Sequence, residues 1–201
     1  MSPTVGYFFA KLLGKIRRDK HKETLNKWFM KRGVKLGGYP EALKPSQKIG
    51  ERYHGQRGTV PWTNINSNIA INEPHLITIG LGTTVAGNVK FVTHDNSISK
   101  VLPNTSDLFG KIIIGENCFI GACSVIMYGV TIADNVIVAA GSVVVKSIPE
   151  SNVIVAGNPA RVISTWAKFA EKSKHYAWNL CKVSRQEMIE RTSSGEKIVI
   201  R

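Results

Sequence analysis

An apolar side chain recurs at every sixth position along the middle of the chain, and this spacing constrains the fold more than any other feature. The series is Ile114, Ile120, Ile126, Ile132, Val138 and Val144, after an earlier tract of Ile79, Val85 and Phe91. A period of six differs from the 3.6-residue period of an α-helix, but it suits short β-segments that are joined by tight corners. Such segments, stacked in register, predict a parallel β-solenoid with an aliphatic core. We expect Ile65 and Ile71 to begin one more turn, which an eight-residue step from Ile71 joins to Ile79.

Composition narrows the class of protein. Of the 201 residues, 43% are apolar and 20% are charged, which excludes a wholly disordered or fibrous chain. No stretch approaches the ~18 uncharged apolar residues of a membrane-spanning helix, and the first residues make a poor signal peptide. Three cysteines, Cys118, Cys123 and Cys181, cannot all pair. Such sparse use of cysteine fits a reducing compartment, so we expect a cytoplasmic protein.

The net charge of +13 is concentrated at the N-terminus. Residues 1–35 hold ten Lys or Arg against two acidic residues, a net charge of +8, whereas positive and negative residues balance over 111–149. No recognition-helix, zinc-finger or single-strand-binding signature accompanies these cations, so we expect no nucleic-acid partner. Apolar residues are interleaved with these charges, among them Phe8, Phe9, Leu12, Leu13, Trp28 and Phe29. Two interpretations stay open: contact with an anionic membrane surface at its inner face, or helices that cap the solenoid and leave their charges solvated.

The segment IIIGENCFIGACSVIMYGVTIADNVIVAAGSVVVKSIP, followed by VIVAGNPARVI, resembles the hexapeptide-repeat acyltransferases. The resemblance spans roughly residues 60–165 and is strongest to the branch of maltose, galactoside and virginiamycin acetyltransferases and cell-surface polysaccharide O-acetyltransferases. It implies a mainly β protein with a left-handed parallel β-helix, a homotrimer, and acetyl-CoA bound in a groove between neighbouring subunits. The handedness comes from the resemblance alone, because parallel crossovers are ordinarily right-handed.

Three regions follow from these patterns. Residues 1–58 form a basic and mainly helical N-terminal region, residues 59–163 form the β-helix, and residues 164–201 form a C-terminal helical tail that is read as helix over 164–191. The period fails between Phe91 and Ile114, where a polar stretch predicts a loop over 95–110 that leaves the coil. Both flanks are expected to cap the solenoid.

His94 lies where the regular repeat opens, and the resemblance assigns the catalytic histidine to this position. Neutral imidazole can accept a proton from an acceptor hydroxyl, which is the role we expect. The neighbouring Asp95 has two open interpretations, since a carboxylate can orient a histidine but aspartate also starts turns through its own side chain. A backbone carbonyl can orient His94 equally well. The other histidines, His21, His54, His75 and His175, are read as surface or packing residues.

The acceptor and cofactor residues rest on the resemblance. In NINSNIAINEPHLITIG, Asn66 matches a substrate-binding asparagine, with Asn68 as the second choice; the alternative is an asparagine ladder or turn cap. Small residues that let pantetheine approach the backbone are Ala122, Ala140, Gly141 and Ser142, and cations near the nucleotide phosphates are Lys146 and Arg161. For the alanines, a tight coil corner is the alternative. Val145 stands where threonine is commoner in the family.

The function that we expect is direct transfer of an acetyl group from acetyl-CoA to a sugar hydroxyl, without a covalent acyl-enzyme. We expect Cys118 and Cys123 to be packing residues and not nucleophiles. The acceptor would belong to a cell-surface polysaccharide or its precursor. Alternatives are N-acetylation of an amino sugar and an inactive binding solenoid. A zinc-dependent carbonic anhydrase on the same fold is disfavoured, because a catalytic zinc needs about three protein ligands and the opened coil offers His94 alone. We therefore expect no metal.

Overall fold

The computed structural model describes residues 27–36, 64–65, 73–178 and 183–199. Their short strands stack on three faces of a β-helix. The first face holds β1 (Lys35–Leu36), β3 (Ile77–Ile79), β8 (Ile112–Ile114) and β11 (Thr131–Ile132). The second face holds β2 (Asn64–Ile65), β4 (Thr84–Val85), β9 (Phe119–Ile120), β12 (Ile137–Val138), β14 (Val153–Gly157) and β15 (Ala160–Thr165). The third face holds β5 (Lys90–Phe91), β10 (Val125–Ile126) and β13 (Val143–Val144).

The apolar side chains of the repeat form the core, as the six-residue period predicts. Ile126 pairs in parallel register with Phe91 on one side and Val144 on the other, so one coil consists of three hexapeptides. The repeat positions are almost completely buried, namely Ile79, Val85, Phe91, Ile114, Ile120, Ile126, Ile132, Val138 and Val144. Each such side chain contributes about 1.5–3 kcal/mol when it leaves water, which makes this column the main source of stability. Ile65 pairs with Val85 and so belongs to the turn that the sequence predicts, whereas Ile71 lies outside the described residues.

Small residues allow the coils to approach each other at the corners. A Cβ atom on Gly121 would collide with the backbone nitrogen of Ala140, one coil further along. Left-handed backbone conformations turn the chain, with φ of +52° at Asn117 and +76° at Gly129. Asparagine and glycine tolerate this region better than other residues, which explains why they recur at these corners.

The predicted loop is a structured hairpin that leaves the β-helix after Thr93. Its strands are β6 (His94–Asp95) and β7 (Leu108–Phe109), which pair antiparallel, and a 3₁₀ helix over Asn96–Lys100 follows β6. The chain rejoins the coil at Gly110, whose N–H donates to the Thr93 carbonyl at 3.0 Å. This hydrogen bond closes the base of the hairpin and keeps β6 beside the third face.

Part of the N-terminal region packs on the end of the β-helix. Strand β1 pairs with β3, and Phe29 and Val34 are buried in the same core as the repeat side chains. Trp28 packs against this core and stacks beneath the Arg32 guanidinium, 4.2 Å from the ring centroid. Of the two interpretations of the N-terminal aromatics, Trp28 and Phe29 therefore follow the capping one. Phe8, Phe9, Leu12 and Leu13 lie outside the described residues.

The C-terminal tail differs from the single helix that the sequence suggests over 164–191. Strand β15 folds back antiparallel on β14 and continues to Thr165, whose side chain caps helix α1 (Trp166–Ser173). A second helix, α2 (Arg185–Ser193), begins at the cap residue Ser184. Both caps follow the usual preference for a hydroxyl at the helix start. No helix in the described part of the chain is long and apolar enough to cross a membrane.

Candidate active site

His94 lies at the corner between the third and first faces, where the hairpin leaves the coil. It is the first residue of β6, and its side chain is 32% exposed. The preceding residue, Thr93, is buried, so the backbone is anchored directly before the imidazole reaches the surface. A partly exposed histidine at an interruption of a rigid coil is well placed to meet a ligand.

The carboxylate that contacts His94 belongs to Glu73, a residue that the sequence did not indicate. His94 Nδ1 lies 2.9 Å from Glu73 Oε2, and the Thr93 hydroxyl donates a hydrogen bond to the same oxygen. The Thr93 hydrogen bond is the main cause that holds the pKa of Glu73 below its ordinary value of 4.5; desolvation opposes it, and the hydrogen bond and charge of His94 act with it. Glu73 is therefore ionised at neutral pH, and an ionised carboxylate can only accept a hydrogen bond.

Asp95 makes a different set of contacts. Its Oδ1 accepts from the Ser97 N–H at 2.8 Å and so caps the 3₁₀ helix, while its Oδ2 accepts from the Tyr128 hydroxyl at 3.3 Å. The Ser97 hydrogen bonds are the largest cause that lowers the pKa of Asp95. Of the two interpretations that the sequence leaves open, the structure shows the turn; a catalytic contribution of Asp95 stays a prediction.

An aromatic side chain of the hairpin lies beside the imidazole. Phe109 lies opposite His94 in the β6–β7 pair, with ring centroids 5.8 Å apart and planes tilted by 37°. Phe109 is 60% exposed, and Val101, Leu102 and Leu108 elsewhere in the hairpin segment are exposed as well. His94 therefore lies beside an exposed aromatic ring.

The small residues predicted to bind the cofactor lie at another corner, between the second and third faces. The Gly141 N–H donates to the Ala122 carbonyl at 2.8 Å, so Ala122 and Ala140–Gly141 stack in consecutive coils. Ala140 and Gly141 are exposed and Ala122 is half-buried. Ser142 is buried, and its hydroxyl donates to the Ala139 carbonyl at 2.6 Å. A contact between Ser142 and a surface ligand can therefore involve its backbone but not its hydroxyl.

The two cations that the sequence predicts near the phosphates, Lys146 and Arg161, lie at different places on the coil. Lys146 comes two residues after Val144, as Thr93 comes two residues after Phe91, so the register places Lys146 at the His94 corner. Arg161 pairs with Ala156 in the β14–β15 hairpin beside the second face, and its Nη1 donates to the Ala160 carbonyl at 2.9 Å. Both cations are exposed.

Within one chain, Lys146 is the one predicted cofactor residue that lies at the His94 corner. His94 and Lys146 occupy one corner, whereas Ala122, Ala140 and Arg161 lie beyond the third face. Asn66 and Asn68 lie outside the described residues. The assignments of these side chains to acceptor or cofactor stay predictions.

The two described cysteines differ from each other. Cys118 is buried, its Sγ donates to the Ala133 carbonyl at 3.1 Å, and desolvation raises the pKa of its thiol, which confirms a packing role. Cys123 is exposed at a corner with φ of +61°, so the expectation that it packs in the coil is wrong. Among the described residues, no three His, Cys, Asp or Glu side chains lie close enough together to hold a metal ion.

Comparisons with known proteins give one family model and several relatives. The family model for the hexapeptide repeat of succinyl-transferase matches residues 111–146. Galactoside O-acetyltransferase of Escherichia coli is 37% identical over 119 residues, which cover 59% of this chain and 57% of that protein. This chain thus spans little more than half of that relative. A crystal structure of a hexapeptide-repeat acetyltransferase from Vibrio cholerae, complexed with acetyl coenzyme A, is 28% identical, with coverages of 51% and 60% and a TM-score of 0.43.

A second relative is matched over a larger share of its length. The Escherichia coli protein named a colanic acid biosynthesis acetyltransferase, WcaF, is 33% identical over 134 residues, which cover 65% of this chain and 69% of that protein. The aligned length, the matched repeat and the three-faced coil agree with one another. The chain belongs to the hexapeptide-repeat acyltransferase family.

Proposed function

We propose that the protein is an acetyl-CoA-dependent O-acetyltransferase that acts on a sugar hydroxyl of a cell-surface polysaccharide or its precursor. The position of His94 supports this function most strongly. One ring nitrogen contacts Glu73, and among the described residues the other nitrogen, Nε2, makes no hydrogen bond. The names of two relatives, a galactoside O-acetyltransferase and a colanic acid biosynthesis acetyltransferase, support a sugar as the acceptor.

The reaction follows from the chemistry of the imidazole. His94 accepts the proton of the acceptor hydroxyl while the hydroxyl oxygen attacks the thioester carbonyl of acetyl-CoA, and backbone N–H groups stabilise the oxyanion. Collapse of the tetrahedral intermediate breaks the carbon–sulfur bond, and the imidazolium returns its proton to the leaving thiolate. The products are the acetyl ester and free CoA, and His94 is neutral again. Buried Cys118, with its raised pKa, has no part in this sequence.

A site shared between subunits would join the two corners. Ala122, Ala140 and Arg161 lie beyond the third face from His94, and a neighbouring subunit can bring its own copies of these residues to the His94 corner. We therefore propose that the protein forms a homotrimer of left-handed β-helices. Acetyl-CoA would bind in the groove between two subunits. Lys146 would meet the phosphates at the His94 corner, and Arg161 would do so from the neighbouring subunit.

The type of acyl transfer is tested by product chemistry. The purified protein is incubated with acetyl-CoA and a panel of neutral sugars, oligosaccharides and amino sugars, and thiol release is followed. The acetylated product is separated from acetyl-CoA and treated with alkaline hydroxylamine, which cleaves oxygen esters and spares amides. We expect a hydroxylamine-sensitive product from a neutral sugar. An insensitive product formed from amino sugars alone would replace this function by N-acetylation, and thiol release with no acceptor would support neither.

A further inference from the structure

The contact between Glu73 and His94 decides which imidazole nitrogen carries the proton. Glu73 is ionised at neutral pH, so its Oε2 accepts and His94 Nδ1 must donate. In a neutral imidazole only one nitrogen carries hydrogen. The lone pair that can accept a proton therefore lies on Nε2.

We infer that Glu73 is a positioning residue, which holds His94 in the Nδ1–H tautomer and leaves Nε2 as the proton acceptor. Thr93 holds Glu73 in place, because its buried hydroxyl donates to the same Glu73 oxygen that contacts His94. The expected effect of Glu73 on turnover rests on the proposed function, whereas the expected tautomer of His94 does not depend on that function. The arrangement follows the general rule that the partner of one ring nitrogen sets the state of the other.

The surroundings explain why Glu73 takes this role. Asp95 is the other carboxylate near the imidazole, but its oxygens already accept from Ser97 and Tyr128. On the opposite strand of the hairpin, the Phe109 ring lies 5.8 Å from the imidazole, which leaves the ring less room to rotate. The imidazole is thus held between an acceptor at Nδ1 and an aromatic neighbour.

Glu73 contacts Thr93 and His94 because it lies one coil before Thr93 in the β-helix. Asn64 and Thr84 pair across neighbouring coils with a separation of twenty residues, and the same step back from Thr93 arrives at Glu73. The 3₁₀ turn over Pro74–Leu76 then leads directly into β3, which fixes the backbone on the other side of Glu73. Glu73 and Thr93 therefore both belong to the coil, and the first residue of the hairpin brings the imidazole to Glu73.

The tautomer is measured on the full-length protein by NMR of ¹⁵N-labelled histidine, with the His94 signals assigned by their loss in His94→Gln. We expect the long-range correlation pattern of an Nδ1–H imidazole in the wild-type protein at neutral pH. In Glu73→Met, which keeps the side-chain length but removes the acceptor, we expect the Nε2–H form to become the major one. Glu73→Gln retains an acceptor oxygen and should keep the Nδ1–H form. Glu150→Gln, at an exposed position outside the site, is the control and should leave the pattern unchanged.

The kinetic arm uses the same variants. Glu73→Met should lower kcat by roughly 10- to 10²-fold, a part of the 10²–10⁴-fold that general-base catalysis contributes, while the KM for acetyl-CoA stays near the wild-type value. Thr93→Val should cause a smaller loss, and Thr93→Ser, which restores the hydroxyl, should recover it. This pair also serves if Glu73→Met does not fold.

The two arms separate the inference from the proposed function. An Nε2–H imidazole in the wild-type protein, or an unchanged tautomer in Glu73→Met, overturns the role of Glu73 whatever the activity. Loss of activity in His94→Gln together with full activity in Glu73→Met also overturns it but keeps the proposed function. The expected tautomer change with no effect of His94→Gln on turnover supports the positioning and removes the proposed function instead.

Discussion

The Phe109 ring lies across the β6–β7 hairpin from His94, with 5.8 Å between the ring centroids, and most of it faces solvent. Because the ring is 60% exposed, a ligand that meets His94 can also pack on the Phe109 ring. Sugars present flat C–H surfaces that pack on aromatic rings. Under the proposed function, Phe109 therefore lies where the acceptor ring would bind.

Phe109→Ala should raise the KM for the acceptor by roughly 2- to 10-fold, in proportion to the 0.5–1.5 kcal/mol of a typical aromatic contact. The KM for acetyl-CoA should stay within about a factor of two, since the ring is proposed to contact the acceptor and not the CoA. Steady-state kinetics with each substrate varied in turn measure both constants. Phe169→Ala, on α1 and similarly exposed, is the matched control. An equal rise in both KM values would contradict acceptor binding at Phe109.

The alternation of β8 provides a stability test within three residues. Ile114 is buried in the core column, whereas Ile113 is 39% exposed on the opposite side of the strand. We expect Ile114→Ala to lower the free energy of unfolding by about 2–5 kcal/mol, and Ile113→Ala by less than about 1 kcal/mol. Urea denaturation followed by circular dichroism gives both values. Equal losses in the two variants would mean that the coil register is wrong.

The lowered pKa of Glu73 predicts a pH dependence of stability. Because the folded-state pKa lies below the ordinary value of 4.5, ionised Glu73 stabilises the folded protein above that value, and this stabilisation is lost as the pH falls through the folded pKa. Thermal melts of wild type and Glu73→Gln between neutral and acidic pH should therefore converge in acid. A gap between the two melting temperatures that widens with falling pH would contradict the stated direction.

A site shared between subunits predicts complementation between two inactive variants. His94→Ala lacks the base, and Ala140→Leu adds bulk at the exposed corner where the cofactor is proposed to bind. Each homo-oligomer should be inactive. Random mixing of equal amounts should restore about a quarter of the sites, because each shared site draws its two halves from different copies.

Co-expression of the two variants with different affinity tags, followed by tandem purification, isolates the hybrids. The control is a mixture of the two homo-oligomers purified separately and combined without exchange, which should stay inactive. If the hybrids are as inactive as the parents, the catalytic and cofactor residues of one site come from a single chain.

The fold was predictable from the sequence because it depends on local spacing. Ile114, Ile120 and Ile126 each pair with the repeat residue one coil further along, at the same separation in sequence, so they indicate the coil without any knowledge of distant contacts. Cys123 shows the limit of this reasoning. It occurs in a repeat segment, but it occupies a left-handed corner, and exposure there depends on the backbone conformation rather than on side-chain hydrophobicity.

The environment of His94 was less predictable than its position. The interruption of the period indicates where the coil opens, yet it does not show which carboxylate lies nearby. Asp95 is adjacent in sequence and caps a turn, whereas Glu73 reaches the imidazole from the preceding coil. The coil that precedes β4 is longer than three hexapeptides, so a strict six-residue count misses Glu73. The separation of Ala140 from His94 likewise depends on the assignment of strands to faces.

The most direct test of the proposed function is the turnover of His94→Ala with acetyl-CoA and a sugar acceptor, measured by thiol release. The matched control is His175→Ala, which removes an exposed imidazole from the C-terminal tail. We expect His94→Ala to retain the fold and to lose roughly 10²–10⁴-fold in kcat, and the control to match the wild type. Near-wild-type turnover in a folded His94→Ala protein would contradict the central claim that this imidazole is the base for acetyl transfer.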